Sequence, residues 1–415
     1  MEKGSNPSSR WNFKLLIAVV FIGYLVFGFS ENIKGPAIPR MQGDFGLNEM
    51  QIGLLLALNA LGYLLACSFT GILVKRIGLR AANIIAFVTM FLGGIFIYLS
   101  ISYSTLSAAY FLMYVGNGIL EITLGILAAR VFTKNTGWMM NLSHFFYGLA
   151  STVAPIFATG LMSLTVSGRM LGWQPMYLIM LSSVLIPLII AVVSKFPGDG
   201  AKHEEKLSVR QYSKDSAAWL IVLILSLGVT AELSVGGWLV NFLEQAYKWD
   251  MERASAMLSG FFFTFMLARL LLGPLTDKIG FTRSLIIFSG FAGVLTIAGI
   301  VIGEKGAFLF ALAGAGIAPI YPTVMALLSK RYPRDTDTAI SFTVTLMGIG
   351  SVIGNFLVGI IIDMIQGLFT GSHGAKEATL IGFKAGYAFI GVCALACSMT
   401  SVALYRLLKR RMELL

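Results

Sequence analysis

The feature that most restricts this chain is a series of apolar runs, each near or above the roughly 20 residues a helix needs to cross a bilayer. Short loops carrying Gly, Pro and charges separate them. Twelve such runs are expected, at 12–36, 48–74, 79–100, 105–131, 138–164, 173–195, 217–245, 252–276, 282–303, 307–329, 338–364 and 385–408. The composition agrees. Of 415 residues 57% are hydrophobic and 12% charged, and the mean hydropathy is +0.81, far from the range of a soluble domain. The first run is too long for a signal-peptide core and no small-residue cleavage site follows it, so it is expected to be retained. The chain reads as an all-α membrane protein of twelve transmembrane helices.

Orientation follows from Lys and Arg, which stay on the cytoplasmic side of short loops. With the amino terminus inside, 21 of the 31 Lys and Arg residues fall in inner segments, so both termini are expected in the cytoplasm and the protein in the cell membrane. The formal net charge of +11 could suggest a nucleic-acid partner. The excess sits in short inner loops where topology accounts for it, so no nucleic acid is expected. Cys67, Cys393 and Cys397 all lie in apolar runs and imply no disulfide framework.

The one long hydrophilic segment, 195–216, falls between the sixth and seventh runs. It divides the chain into an amino-terminal six-helix half (1–194), a cytoplasmic linker and a carboxy-terminal half (217–415). A repeat supports the division: GILVKRIGLR at 71–80 follows the second run and GPLTDKIGFTR at 273–283 follows the eighth. Gly71 and Gly273 are 202 residues apart, as are Gly78 and Gly280. Inner turns of this kind are expected to use Gly where the backbone closes up and basic residues at the inner surface. Two six-span halves with this loop resemble the major facilitator superfamily, whose pattern is G-x-L-x-D-R-x-G. The second copy matches it, Asp277 included, whereas the first has Lys75 in place of the acid. The resemblance implies two pseudo-symmetric halves packed around a central cavity, with a substrate site near the bilayer midplane and access that alternates as the halves rock.

An ionisable group near the bilayer centre costs on the order of 3 kcal/mol, so each one needs a reason. Glu121, in GNGILEITLG, stands 15 residues past Leu106 and nine before Arg130. Nine residues at about 1.5 Å each put it roughly 13 Å deep, near the middle of a core about 30 Å thick. Desolvation favours a neutral carboxyl there, with a proton that exchanges when the cavity wets. A permanently protonated acid bonded to a neighbouring helix is the other reading. Glu31 and Glu232, 201 residues apart, occupy matching places on the first span of each half. Lys34, one turn from Glu31, makes an ion pair as open a reading as a proton or substrate role. The position matching Glu121 is Thr323, so proton chemistry leans to the amino-terminal half. Arg269 is read as an anchor of span eight, and Arg76, Arg269 and Asp277 together as gating or structural residues. His144 is either a packing histidine or a contact to ligand or proton.

Five segments look like the fucose, galactose and glucose proton symporters, a branch of the major facilitators: GNGILEITLG, NLSHFFYGLA, AELSVGGWLVNFLE, LARLLLGPLTDKIG and APIYPTVMALLSKRYP. The resemblance implies proton coupling at Glu121 and sugar contact at His144. Where the fucose type carries its first-span acid this chain has Gly35, with Glu31 one turn earlier. Independently, hydroxyl-rich rings call for amide and carboxyl partners with flat aromatic faces. Asn32, Asn117, Tyr147, Trp238, Asn241, Tyr321 and Asn355 supply both, with Asn117 one turn before Glu121 on the same face. Gly236 and Gly237 are expected to loosen span seven, and Pro319 and Pro322 to kink span ten. The glycines of MGIGSVIGNFLVG in span eleven suit close helix packing.

Neither H-E-x-x-H nor G-x-x-x-x-G-K-[ST] occurs, so an enzyme or ATP-driven pump has no support. The expected function is proton-coupled import of a monosaccharide or related polar molecule by a monomer, with no cofactor beyond the ion gradient. The alternative is a proton antiporter exporting an amphiphile, motivated by 19 Met, 30 Phe and the Glu31–Lys34 pair.

Overall fold

The computed structural model describes residues 7–132, 136–197, 212–332 and 336–413. Among them, twelve helical stretches are long and apolar enough to cross a bilayer. Nine are unbroken: span two (Glu49–Ile77), three (Leu79–Tyr98), four (Tyr103–Val131), five (Thr136–Ser163), seven (Ser216–Tyr247), eight (Met251–Ile279), nine (Phe281–Ile302), eleven (Thr336–His373) and twelve (Ala375–Arg410). A two-residue-per-strand ribbon, Thr165–Val166 against Arg169–Met170, links spans five and six. It turns at Ser167 and Gly168, whose φ values of 52° and 80° suit the tight turn of such a ribbon.

Proline breaks the other three. Pro36 offers no N–H to the Asn32 carbonyl and its ring crowds that oxygen, so span one is two helices, Pro7–Asn32 and Lys34–Phe45. The second piece carries span one nine residues past the sequence-based end at 36. Span six divides into Trp173–Ser182 and Leu185–Val193 ahead of Pro187. Span ten divides into Phe308–Ile317 and Ile320–Arg331, where Pro322 removes the donor that the Ala318 carbonyl would otherwise receive.

Three sequence expectations need correction. Gly71 lies inside span two, and a Cβ there would meet nothing within 4 Å, so the turn is made by Gly78 alone (φ 84°) and its counterpart Gly280 (φ 89°). Gly236 and Gly237 leave span seven continuous, because the helix is enclosed and its ladder needs no help from side chains. Residues 365–384, expected as a loop, are helical except at Gly374 (φ 79°), which joins spans eleven and twelve. The side chain of Asp277 and residues 195–216 in part lie outside the described residues.

By packing, the chain forms two units: the described parts of Met1–Ile33 and Leu58–Lys202, and those of Lys34–Ala57 and His203–Leu415. In the first, Val19, Val20, Phe87, Met90, Leu120 and Leu124 are fully buried in one apolar core. Glycine lets its helices approach closely. A Cβ on Gly118 would lie 2.6 Å from the Tyr63 carbonyl oxygen, and one on Gly28 2.5 Å from that of Tyr147. These contacts bring spans two and five against spans four and one. In span eleven, Gly350 faces Ser226 and Gly354 faces Thr230, in keeping with a packing role.

The second unit is fastened where span seven begins. Asp215 accepts from the Ala217 N–H (3.0 Å), the Tyr332 hydroxyl (2.6 Å), Arg331 (3.1 Å) and Arg411 (2.9 Å), and Arg331 also reaches Glu413 (2.7 Å). Burial alone would raise the Asp215 pKa. The bonds from Tyr332, Arg411, Ala217 and Arg331 outweigh it and hold the carboxyl well below its ordinary value.

Two expectations follow from this packing. Gly118→Val should cost about 1–3 kcal/mol through overpacking against Tyr63, read as a lowered unfolding midpoint in detergent. Asp215→Asn should lower the midpoint at neutral pH. Since the folded pKa is the lower one, the charge stabilises above the ordinary value of 3.8 and the difference from wild type should shrink as pH falls below it.

Candidate functional site

Helical spacing first places the polar groups of the first unit. Asn117 and Glu121 share one face of span four, and Asn59 and Tyr63 share one face of span two at the same i, i+4 interval. Close approach at Gly118 then joins the faces, and the Tyr63 hydroxyl donates to a Glu121 carboxylate oxygen. Span one supplies the next layer. Ser30 donates to Asn117 Oδ1 at 3.1 Å, and Glu31, buried, accepts from the Tyr114 hydroxyl at 3.3 Å. Asn32 donates to the Gly28 carbonyl and to Ser151 Oγ, both at 2.9 Å. Rings close the side toward span five: Tyr147 lies 5.2 Å from Phe27, and His144, exposed, lies 5.1 Å from Tyr24.

The first unit thus gathers Glu31, Asn32, Asn117, Glu121, His144 and Tyr147 from among the sequence candidates. Asn59, Tyr63, Tyr114 and Ser151 are additional. The Asn59–Tyr63 interval in ALNALGYLLACS was readable, because it repeats the spacing of Asn117 and Glu121 on an apolar helix. Tyr114 and Ser151 carry no comparable signal.

Several polar atoms here are buried without a hydrogen-bond partner among the described residues: both amide atoms of Asn59 and Nδ2 of Asn117. A buried amide left unpaired costs roughly 1–3 kcal/mol, so these atoms are suited to groups a ligand brings. Chemically, Glu121 accepts from Tyr63 when ionised and can itself donate when protonated, so one proton changes the donor pattern of the cluster.

The second unit holds the remaining candidates in separate places. Glu232, at mid-span seven, faces Arg269 of span eight at 3.8 Å. Arg269 Nε also donates to the Ala318 carbonyl (3.4 Å), the oxygen that Pro322 deprives of its helical donor, and its guanidinium lies 4.3 Å from the Phe265 ring centre. Asn355 accepts from Ser234 at 3.4 Å. Trp238 is buried with its indole N–H unpartnered among the described residues, and Tyr321 is half-buried.

Asn241 lies nine residues beyond Glu232, about 13 Å along the helix, and donates to Glu49 at 3.2 Å. Its neighbours are those of a joint at the start of span two. There Glu49 also accepts from Gln42 (2.5 Å), Asp363 accepts from the N–H groups of Glu49 (3.0 Å) and Met50 (2.7 Å), and Arg40 pairs with Glu244 at 2.8 Å. Glu49 and Arg40 are not among the sequence candidates. Lys34 opens the second helix of span one and is buried in this unit. Arg76 is exposed in the last turn of span two.

Twelve helices among the described residues are long and apolar enough to cross a bilayer, and each unit buries acids, amides and rings between them, which defines a polytopic membrane protein. The sequence matches the family described as Major Facilitator Superfamily over residues 20–354 and 218–413, and the chain belongs to that superfamily. It is 22% identical to the L-fucose-proton symporter of Escherichia coli (strain K12) over 394 residues, covering 85% of this chain and 87% of that one. It is 23% identical to the glucose/mannose transporter of Bacillus subtilis (strain 168) over 375 residues, covering 83% and 88%. The fold is shared with a crystal structure of a D-xylose-proton symporter, at TM-score 0.76 and 13% identity over 94% of this chain and 97% of that one.

Removing Arg269 alone takes away the cation that faces the Glu232 carboxylate, whereas removing both charges leaves no such imbalance. The unfolding midpoint of Arg269→Ala should therefore lie below that of Arg269→Ala with Glu232→Gln; equal midpoints would dismiss the pair as a stabilising unit.

Proposed function

We propose that the chain is a proton-coupled secondary transporter that imports a monosaccharide, or a closely related polar molecule, by alternating access. The observation that carries the reading is Glu121, deep in span four, bonded to Tyr63 and one turn from the unpartnered amide nitrogen of Asn117. Around it, amides, hydroxyls, a second acid and aromatic faces suit the edges and faces of a polyhydroxylated ring. The names of the relatives, an L-fucose-proton symporter and a glucose/mannose transporter, support the same class.

Substrate bound against Asn59 and Asn117 satisfies their open valences while Glu121 is neutral. Loss of the proton to the other side restores the ionised pair with Tyr63 and weakens the hold on the substrate. Glu31 and Glu232 are secondary proton-coupling candidates, the latter held by Arg269. The gradient is the energy source, each charge yielding about 2.3 kcal/mol per 100 mV, and no cofactor is required. The protein acts as a monomer in the cell membrane with both termini in the cytoplasm, without enzymatic activity and without a nucleic-acid partner.

Proteoliposomes under an imposed pH gradient test this. Wild type should accumulate labelled hexose, and Glu121→Gln should abolish uphill accumulation while counterflow persists. Undiminished accumulation by Glu121→Gln removes this residue from coupling, and proton movement opposite to substrate flux identifies an antiporter instead. Tyr63→Phe should keep counterflow and shift the pH dependence of uptake; an unaltered pH profile would place Tyr63 outside the proton step.

A further inference from the structure

A second candidate site lies within the second unit, at the end where span seven leads into span eight and span nine into span ten. There a groove of about 410 Å³ opens between spans eight and ten. Its polar rim is assembled. The Trp249 indole N–H donates to Glu304 at 2.7 Å, and Arg253 stacks 3.7 Å from the Trp249 ring centre and 3.5 Å from the same carboxylate. Lys305, next to Glu304 in a single 3-10 turn, adds a second cation. Below the rim the walls are apolar. Ala256, Met257 and Gly260 follow one another down the face of span eight beneath Arg253, opposite Phe308 at the start of span ten. The trough exists because Ala256 and Gly260 are small, and it closes where Thr264 donates to the Ala311 carbonyl and Gly314 meets the Phe261 backbone.

We propose that this groove binds one phospholipid with a primary ammonium head, of the phosphatidylethanolamine type, its phosphate at Arg253 and Lys305, its ammonium at Glu304 and an acyl chain along Ala256 and Gly260. Gly260 lies seven residues below Arg253, about 10 Å, a depth that accommodates the upper part of an acyl chain. A trough of this size facing hydrocarbon is filled by lipid, since water finds no partners on Ala, Met, Gly and Phe walls. Charge selects the head. The lining carries two cations, Arg253 and Lys305, beside one carboxylate, Glu304, so it offers partners to a head that bears both a phosphate and an ammonium. Glu304 calls for an N–H donor, and the face of Trp249 that would attract a quaternary ammonium is already covered by Arg253. The trough is built by spans eight and ten of the second unit alone, whereas the Glu121 cluster belongs to the first, and the proposal does not depend on which substrate is carried.

The test is native mass spectrometry of the full chain, reconstituted in vesicles of equal parts phosphatidylethanolamine, phosphatidylcholine and phosphatidylglycerol and then released into detergent. Wild type should retain phosphatidylethanolamine preferentially. Retention should fall roughly ten-fold, equivalent to about 1.4 kcal/mol, in Glu304→Gln and in Arg253→Gln with Lys305→Gln, and in Gly260→Leu, which fills the trough. Equal retention of the three lipids, preference for phosphatidylglycerol, or undiminished phosphatidylethanolamine in the rim variants would overturn the assignment. Unfolding midpoints accompany each variant, and the exposed rim substitutions carry the test should Gly260→Leu fail to fold. Transport need not be measured, so this result stands apart from the test of Glu121.

Discussion

A polar atom set among hydrocarbon chains must find a partner inside the protein, and that constraint organises the molecule. It forces the backbone into helices, and where proline removes a donor the freed carbonyl must be met another way. Arg269 shows the consequence in detail. It reaches the carbonyl of Ala318 that Pro322 leaves unmatched, and it also faces Glu232, so one cation answers both a backbone defect and a buried acid. The atoms that remain unmatched are therefore informative. Those of Asn59 and Asn117 gather on adjoining faces of spans two and four, beside the Tyr63–Glu121 bond.

The repeat in the sequence does not extend to the chemistry. Glu31 and Glu232 stand at matching positions, yet one accepts from a tyrosine and the other faces an arginine. At the place of Glu121, the second unit has Thr323, buried in the first turns after the span-ten break. Equivalent backbones thus carry an acid–phenol cluster in one unit and a compensated ion pair in the other. The division by packing also departs from the division by sequence, because residues 34–57 belong with the second unit through Arg40, Glu49 and their partners on spans seven and eleven.

Much of the helix content was legible because its signal is local. Spans three and nine begin and end within two residues of expectation, bounded by Gly78, Gly280 and Gly303, whose positive φ values stop the helix. Residues 365–384 were misread since Lys376, Glu377 and Lys384 resemble a loop, although a helix whose flank is solvated tolerates them. Within the site, intervals along one helix were readable: Asn117 to Glu121, and by the same rule Asn59 to Tyr63. Bonds between helices were not. Tyr63 to Glu121, Glu232 to Arg269 and Asn241 to Glu49 span 58, 37 and 192 positions and depend on which small residues let which helices touch.

The hairpin at Gly374 has a practical consequence. Span eleven has 38 residues and span twelve 36, so each is some 55 Å long at about 1.5 Å per residue, against a hydrocarbon layer of about 30 Å. At a tilt of about 20° roughly 20 Å of each helix extends beyond the hydrocarbon layer, and on the Gly374 side this includes the charged turn at Lys376 and Glu377. Such a projection offers a rigid epitope for an antibody fragment, and through it the added mass and asymmetry that image alignment of a small membrane protein requires.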